Sequence, residues 1–332
     1  MASVAVIGAG AVGCYYGALL ARTGHDVRFV MRRDLAAVRE RGLDIRSVNG
    51  NFRIERPAAF GTASEVGEVD WVLCALKATA IDDARELVEP CIGPRTRVVA
   101  LMNGLGIEER FAEWFGAARM FGGMAFVCIN RGEPGVVHHL EYGRLSIGHG
   151  EDDAGQLDEL RELLESGGIE VTVAPNLRYA RWEKLSWNIP FNGMSVAGGG
   201  IGTATILADP AMADAVERVM LEVVEAGNVD LAAAGSDARL DADRTVTAMI
   251  GQTRTMGDYR TSMCIDYVNG ASLEVEAILG EPVRRAHGHG LGVPGMASLY
   301  ATVRAADLRN RGLIRAFQPE DLAVVEAVRR QA

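Results

Sequence analysis

Glycines 8, 10 and 13, spaced G-x-G-x-x-G within VAVIGAGAVG (4–13), carry the most definite chemistry in this chain of 332 residues. An apolar strand-like run precedes them and a helix-like segment opens at Ala11, the context in which this spacing holds the diphosphate of a dinucleotide. Gly8 permits the tight turn, Gly10 leaves room for a pyrophosphate against the backbone, and Gly13 lets helix and strand pack closely. Ala9, Ala11 and Val12 complete the cofactor-binding turn, whose unpaired N–H groups and partial positive charge suit an anion. A purely structural glycine turn is the plain alternative. Arg32 and Arg33 stand where the next strand-like run, 26–31, should end. An NAD-selective site usually places Asp or Glu there, whereas a 2′-phosphate wants an arginine, so NADP (NADPH) is the expected cofactor. Asp34 keeps NAD as the competing reading.

Two further polar residues follow buried-looking runs. Lys77 comes directly after VDWVLCAL (69–76), and Asn103 follows the apolar stretch 97–102. In an open α/β sheet that edge binds ligands, so both are site candidates; a surface lysine capping the sheet and a simple Asn-Gly turn are the competing explanations. In LRYARWEKLSWNIPFNGMSV (177–196), Lys184 and Asn188 are four apart and share one helical face. Pro190 predicts that the helix bends or ends there, which leaves Asn192 untied to that face. A cleft lysine among apolar and amide neighbours could donate a proton or stabilise developing negative charge, and the same residue could simply snorkel from an amphipathic helix. In 258–290, Ser262, Asp266 and Glu274 sit among apolar neighbours. Ser262 with Asp266 could cap or brace helices. Glu274 and Glu276, two apart, cannot share a helical face, so one can look into a cleft while the other is solvated.

The elements that must position these residues change character along the chain. Alternation of apolar strand runs with helix-like segments up to about position 173 points to α/β architecture with a parallel sheet. Phe121 to Ile129 and Leu145 to Ile147 read as short strands joined by a polar segment containing His138 and His139, which point in different directions and make no facial metal pair. Beyond Pro175 long amphipathic helices take over, including one expected over 237–255. A formal charge of -10 argues against general nucleic-acid binding. No apolar run reaches membrane-spanning length and no secretory signal opens the chain, which makes a cytoplasmic location the default. Five scattered cysteines without a CxxC pair read as buried thiols; with no zinc-type spacing at His287 and His289, no metal is expected.

Taken together, GAGAVG (8–13), LK (76–77), NGLG (103–106), WEKLSWN (182–188), TSM (261–263) and LEVEAILG (273–280) resemble the ketopantoate reductase family, the 2-dehydropantoate 2-reductases. The resemblance implies an N-terminal NADP-binding Rossmann-type domain (1–175), an all-helical substrate-binding C-terminal domain (176–332) and an active site in the cleft between them. It implies NADPH-dependent reduction of 2-dehydropantoate to pantoate, a step toward pantothenate and coenzyme A. By motif, Lys184 matches the catalytic lysine and Glu274, its partner in the catalytic pair, the substrate-binding glutamate. Asn103 matches the asparagine at the junction of cofactor and substrate, and Lys77 the lysine beside it. Asn188, Asn192 and Ser262 match substrate-binding positions, and Arg32 the basic position near the 2′-phosphate. Two departures leave the 2-keto acid open: Pro190 precedes Asn192, where the family commonly has proline just after that asparagine, and Trp187 with Phe191 adds bulk. A related 2-keto acid reductase or hydroxyacid dehydrogenase, or a non-enzymatic NADP-binding regulatory module, are the alternatives. A homodimer is compatible with each reading.

Overall fold

The computed structural model describes residues 1–315; the part of the expected C-terminal domain beyond them lies outside the described residues. The strands are β1 (Ser3–Ile7), β2 (Asp26–Val30), β3 (Leu43–Ser47), β4 (Phe52–Ile54), β5 (Ala58–Phe60), β6 (Trp71–Cys74), β7 (Arg97–Ala100), β8 (Met120–Arg131), β9 (Val136–His149) and β10 (Val171–Val173). They form one ten-stranded mixed sheet in the order β4-β3-β9-β8-β7-β6-β1-β2-β5, with β10 on β9. From β5 to β8 every neighbouring pair is parallel. The interior strands are apolar runs, as required when both faces are covered. On β1 alternation assigns the faces: Val4 and Val6 join one core layer, Ala5 and Ile7 the other.

Five helices serve the sheet: α1 (Ala11–Arg22), α2 (Leu35–Arg41), α3 (Ile81–Val88), α4 (Ile107–Phe115) and α5 (Ala154–Ser166). The chain winds from β1 outward to β2 and β5, then resumes on the other side of β1 with β6, β7 and β8. That reversal puts the topological switch point between β1 and β6, and open α/β sheets take ligands beyond the carboxyl ends of strands at such a point. After β10 the described chain is helical: α6 (Leu177–Ala197), α7 (Thr203–Ala208), α8 (Pro210–Ala233), α9 (Ala242–Thr255), α10 (Ser262–Val268), α11 (Glu281–Gly288) and α12 (Pro294–Asn310), with a π-helical turn at Glu276–Gly280. An N-terminal Rossmann-like sheet domain is thus followed by an all-helical C-terminal domain. Among the described residues no helix is long and apolar enough to cross a membrane.

Three local expectations are corrected. The pieces around Phe121–Ile129 and Leu145–Ile147 belong to one long antiparallel hairpin, and His138 and His139 lie within β9 rather than in a linking segment. Register shifts at Phe126/Val127 and Cys128/Ile129 break the strict alternation that would have revealed its length. α9 begins at Ala242 rather than near 237, because Asp241 caps it by accepting from the Arg244 N–H. α6 neither ends nor breaks at Pro190 but runs on to Ala197. An interior proline costs about 3 kcal/mol; burial of Ile189, Pro190 and Phe191 on this central helix offsets it. All five cysteines are free and buried.

Candidate active site

The glycine turn has the shape its spacing requires. Gly8 takes φ +83°, and a Cβ there would sit 2.7 Å from the Leu76 amide nitrogen. At Gly13 a Cβ would lie 2.7 Å from the Gly8 carbonyl oxygen and 2.9 Å from Val6 Cγ1, so α1 can approach β1 only without one. Gly10 differs: a Cβ would meet nothing nearer than 3.9 Å, so the chain leaves space just where α1 begins. α1 has no side-chain cap and no acidic residue in its first turn, which keeps its N–H groups available to an anion. Open space in front of uncapped amides fits a dinucleotide diphosphate. Ala9 donates its N–H to the Val30 carbonyl at 3.2 Å, laying the turn against the end of β2. Arg32 and Arg33, just beyond, are exposed, whereas the Asp34 carboxylate is buried and held by Arg131 at 2.8 Å.

Lys77 and Asn103 emerge beyond β6 and β7, as their place after apolar runs predicts. The residue after Asn103 explains how it reaches the helical domain. Gly104 adopts φ +105°, and a Cβ there would collide with Ala277 Cβ at 2.4 Å. Only glycine lets the loop abut the π-helical turn, where the Leu105 N–H donates to the Ala277 carbonyl at 2.9 Å. Glu274 lies just before this turn. Pro282, four residues beyond Ile278, cannot donate to the ladder, so the helical register changes nearby. Glu274 is consequently buried, facing Ala78 and Asn103 at the sheet edge, while Glu276 faces outward against Arg284, Tyr300 and Arg304.

The centre of the site is a three-residue relay. Lys184 Nζ donates to Asn103 Oδ1 at 2.9 Å, Asn103 Nδ2 donates to Glu274 Oε2 at 3.3 Å, and the Ala78 N–H donates to Glu274 Oε1 at 2.8 Å. An amide has one accepting and one donating end, so the lysine on one side and the carboxylate on the other fix its orientation. Burial lowers the Lys184 pKa to about 7, with the Arg181 charge adding to that effect and Glu274 opposing it. Burial also raises the Glu274 pKa, against the N–H of Ala78 and the Asn103 amide, which favour the carboxylate. An amine near neutrality in a cleft is suited to proton transfer.

Because α6 continues through Pro190, Lys184, Asn188 and Asn192 fall at i, i+4 and i+8 on one helical face. Asn188 and Asn192 are buried, and Asn192 Oδ1 has no hydrogen-bond partner among the described residues. Thr261 caps α10 by accepting from the Cys264 N–H, which frees the exposed Ser262 hydroxyl from capping. Asp266 does not brace a helix either: its carboxylate pairs with Lys77 of the sheet domain. Trp187 and Phe191 are taken up by packing. The Trp187 indole N–H donates to Thr253 Oγ1 at 2.8 Å, and Phe191 is fully buried with Ile206, Val216, Met220 and Val246. Sequence reasoning missed Arg181 and Glu108, a buried ion pair behind the relay. A charge flanked by Ala180 and Trp182 on a central helix was the available signal.

Known proteins resemble the chain over nearly all of its described length. Residues 4–152 match the family described as Ketopantoate reductase PanE/ApbA, and residues 176–307 match its C-terminal counterpart. A 2-dehydropantoate 2-reductase of Nostoc sp. is 36% identical, over 92% of this chain and 96% of that protein. The crystal structure of 2-dehydropantoate 2-reductase from Geobacter metallireducens superposes with a TM-score of 0.88 at 39% identity, covering 92% of this chain and 99% of that one. The ternary structure of D-mandelate dehydrogenase with NADH and anilino(oxo)acetate, at 21% identity and a TM-score of 0.83 over 93% of this chain and 99% of that one, shares the fold alone. With its two halves matched in order, the chain belongs to the ketopantoate reductase PanE/ApbA family and is an oxidoreductase of the 2-keto-acid reductase type.

Proposed function

We propose that the chain reduces 2-dehydropantoate to pantoate with NADPH, Lys184 acting as general acid. The observation that carries this reading is the Lys184–Asn103–Glu274 relay, which joins the sheet edge to the helical domain. The nicotinamide, when bound, supplies the hydride to the ketone carbon. Lys184 stabilises the developing negative charge on the ketone oxygen and transfers its proton there, leaving a neutral amine that solvent reprotonates. Asn103 holds the amine in place. Glu274 retains free lone pairs on both oxygens and accepts from a substrate hydroxyl. Asn188, Asn192 and Ser262 orient the acid.

Gly8, Gly10, Gly13 and the amides of Ala11 and Val12 would hold the diphosphate, with Arg32 at the 2′-phosphate. The pairing of Asp34 with Arg131 supports NADPH over NADH, since that carboxylate is already engaged. NADPH is expected to bind more tightly than NADH, and Arg32→Ala to narrow the difference by about 1 to 3 kcal/mol. Titration with both cofactors checks this; equal wild-type affinities would count against the assignment.

The test of the activity is an NADPH-oxidation screen over 2-dehydropantoate, hydroxyl-free 2-keto acids and bulkier ones. The expected outcome is the greatest kcat/KM for 2-dehydropantoate. Another acid reacting ten times more efficiently would replace the substrate and keep the reductase. NADPH binding without oxidation by any of them would favour a regulatory module.

A further inference from the structure

One buried ion pair next to the relay is not used by the reaction as described. Arg181 and Glu108 are 3% and 4% exposed. Arg181 Nε meets the two Glu108 oxygens at 2.9 and 3.1 Å, and Nη2 also donates to Glu108. The remaining donors reach backbone: Nη1 to the Met102 carbonyl at 2.6 Å and Nη2 to the Ala100 carbonyl at 3.2 Å. Ala100 closes β7, Met102 immediately precedes Asn103, and Lys184 stands one helical turn beyond Arg181. A buried ion pair is a poor source of net stability compared with apolar packing. Two of the Arg181 donors end instead on the backbone that leads to Asn103.

We infer that Arg181, held by Glu108, is a positioning residue for the reaction: it locks the helix carrying Lys184 to the strand end carrying Asn103 and keeps a fixed positive charge beside the amine. This rests on the reading of Lys184 as the acid. The guanidinium fork matters because only a planar multi-donor group can hold two carbonyls and a carboxylate together. Its charge matters because, after burial, Arg181 is the next contribution lowering the Lys184 pKa. Of the charged groups around that amine, Arg181 on its own helix and Glu274 from the facing segment act on it directly. Glu108 on α4 acts through Arg181, and Lys77 and Asp266 act through Glu274.

The experiment compares single-turnover oxidation of bound NADPH by 2-dehydropantoate across pH in four proteins: wild type, Lys184→Ala, Arg181→Lys, and Arg181→Met/Glu108→Leu, which replaces the pair by apolar groups of similar size. Arg181→Lys keeps the charge and loses the fork, so the rate should fall about tenfold with the pH limb unmoved. In the double variant the rate should fall at least as far, and the limb should move upward by about one unit because a neighbouring cation is gone. NADPH affinity should stay near wild type in both. Wild-type rate and limb in the pair variants, beside an impaired Lys184→Ala, would overturn the positioning role alone. Lost thermal stability with an unmoved limb in the double variant would likewise reduce the pair to a structural one. An unchanged rate in Lys184→Ala would instead overturn the acid reading. If the double variant does not fold, Arg181→Lys decides: a wild-type rate overturns the proposal.

Discussion

Lys184→Ala is expected to slow hydride transfer by about 100-fold or more while leaving NADPH affinity near wild type. The lysine is buried on α6 and hydrogen-bonded to Asn103, whereas the turn that would hold the diphosphate opens α1. Its loss should therefore affect the chemical step rather than cofactor binding. The pH dependence gives a second signature. With Lys184 as the proposed acid, reduction would need the protonated amine, and burial has lowered its pKa to about 7. In the free enzyme, kcat/KM for reduction should be highest below that pH and fall as pH rises through it. The reverse reaction needs the neutral amine and should gain over the same interval. Single-turnover absorbance separates the chemical step from product release; a variant with an unchanged chemical rate and the same pH limb would reduce Lys184 to a structural lysine.

Glu274→Ala is expected to remove most of the preference for 2-dehydropantoate over an analogue lacking its hydroxyl, a loss of about 10- to 100-fold in the ratio of kcat/KM values. The carboxylate is buried with one N–H on each oxygen, so it keeps acceptor capacity that a hydroxyl-bearing substrate would use under the proposed reading. A site built around a hydroxyl rejects its absence more sharply than a pocket senses one methylene. Taking the ratio matters because Glu274 also contacts Asn103, and a general disturbance of the relay lowers both substrates alike. The raised pKa adds a direction: as pH falls through it the acceptor is protonated, and the preference should weaken. An unchanged ratio in Glu274→Ala would show that the carboxylate does not recognise the hydroxyl.

Much of this site is legible in the sequence because its signals are local. G-x-G-x-x-G after an apolar run is a turn specification, and Gly8 at φ +83° meets it within a few residues. The runs before Lys77 and Asn103 are buried strands for the same reason: a parallel strand covered on both faces must be apolar throughout. Lys184 and Asn188 share a face through the helix repeat alone. Tertiary structure decided the rest. Of the bend or end that Pro190 predicts for α6, the end does not occur, because burial of the residues beside it outweighs a local penalty, and Asn192 thereby joins the Lys184 face. Nothing in an Asn-Gly pair tells that Gly104 must touch Ala277, more than 170 positions away. Periodicity separates Glu274 from Glu276 without choosing between them; the turn against the sheet loop chooses. Arg181 and Glu108, 73 positions apart, are unremarkable charges until folding buries them together behind Asn103. Local sequence thus determined which groups could do the chemistry, and packing between the two domains determined which of them meet.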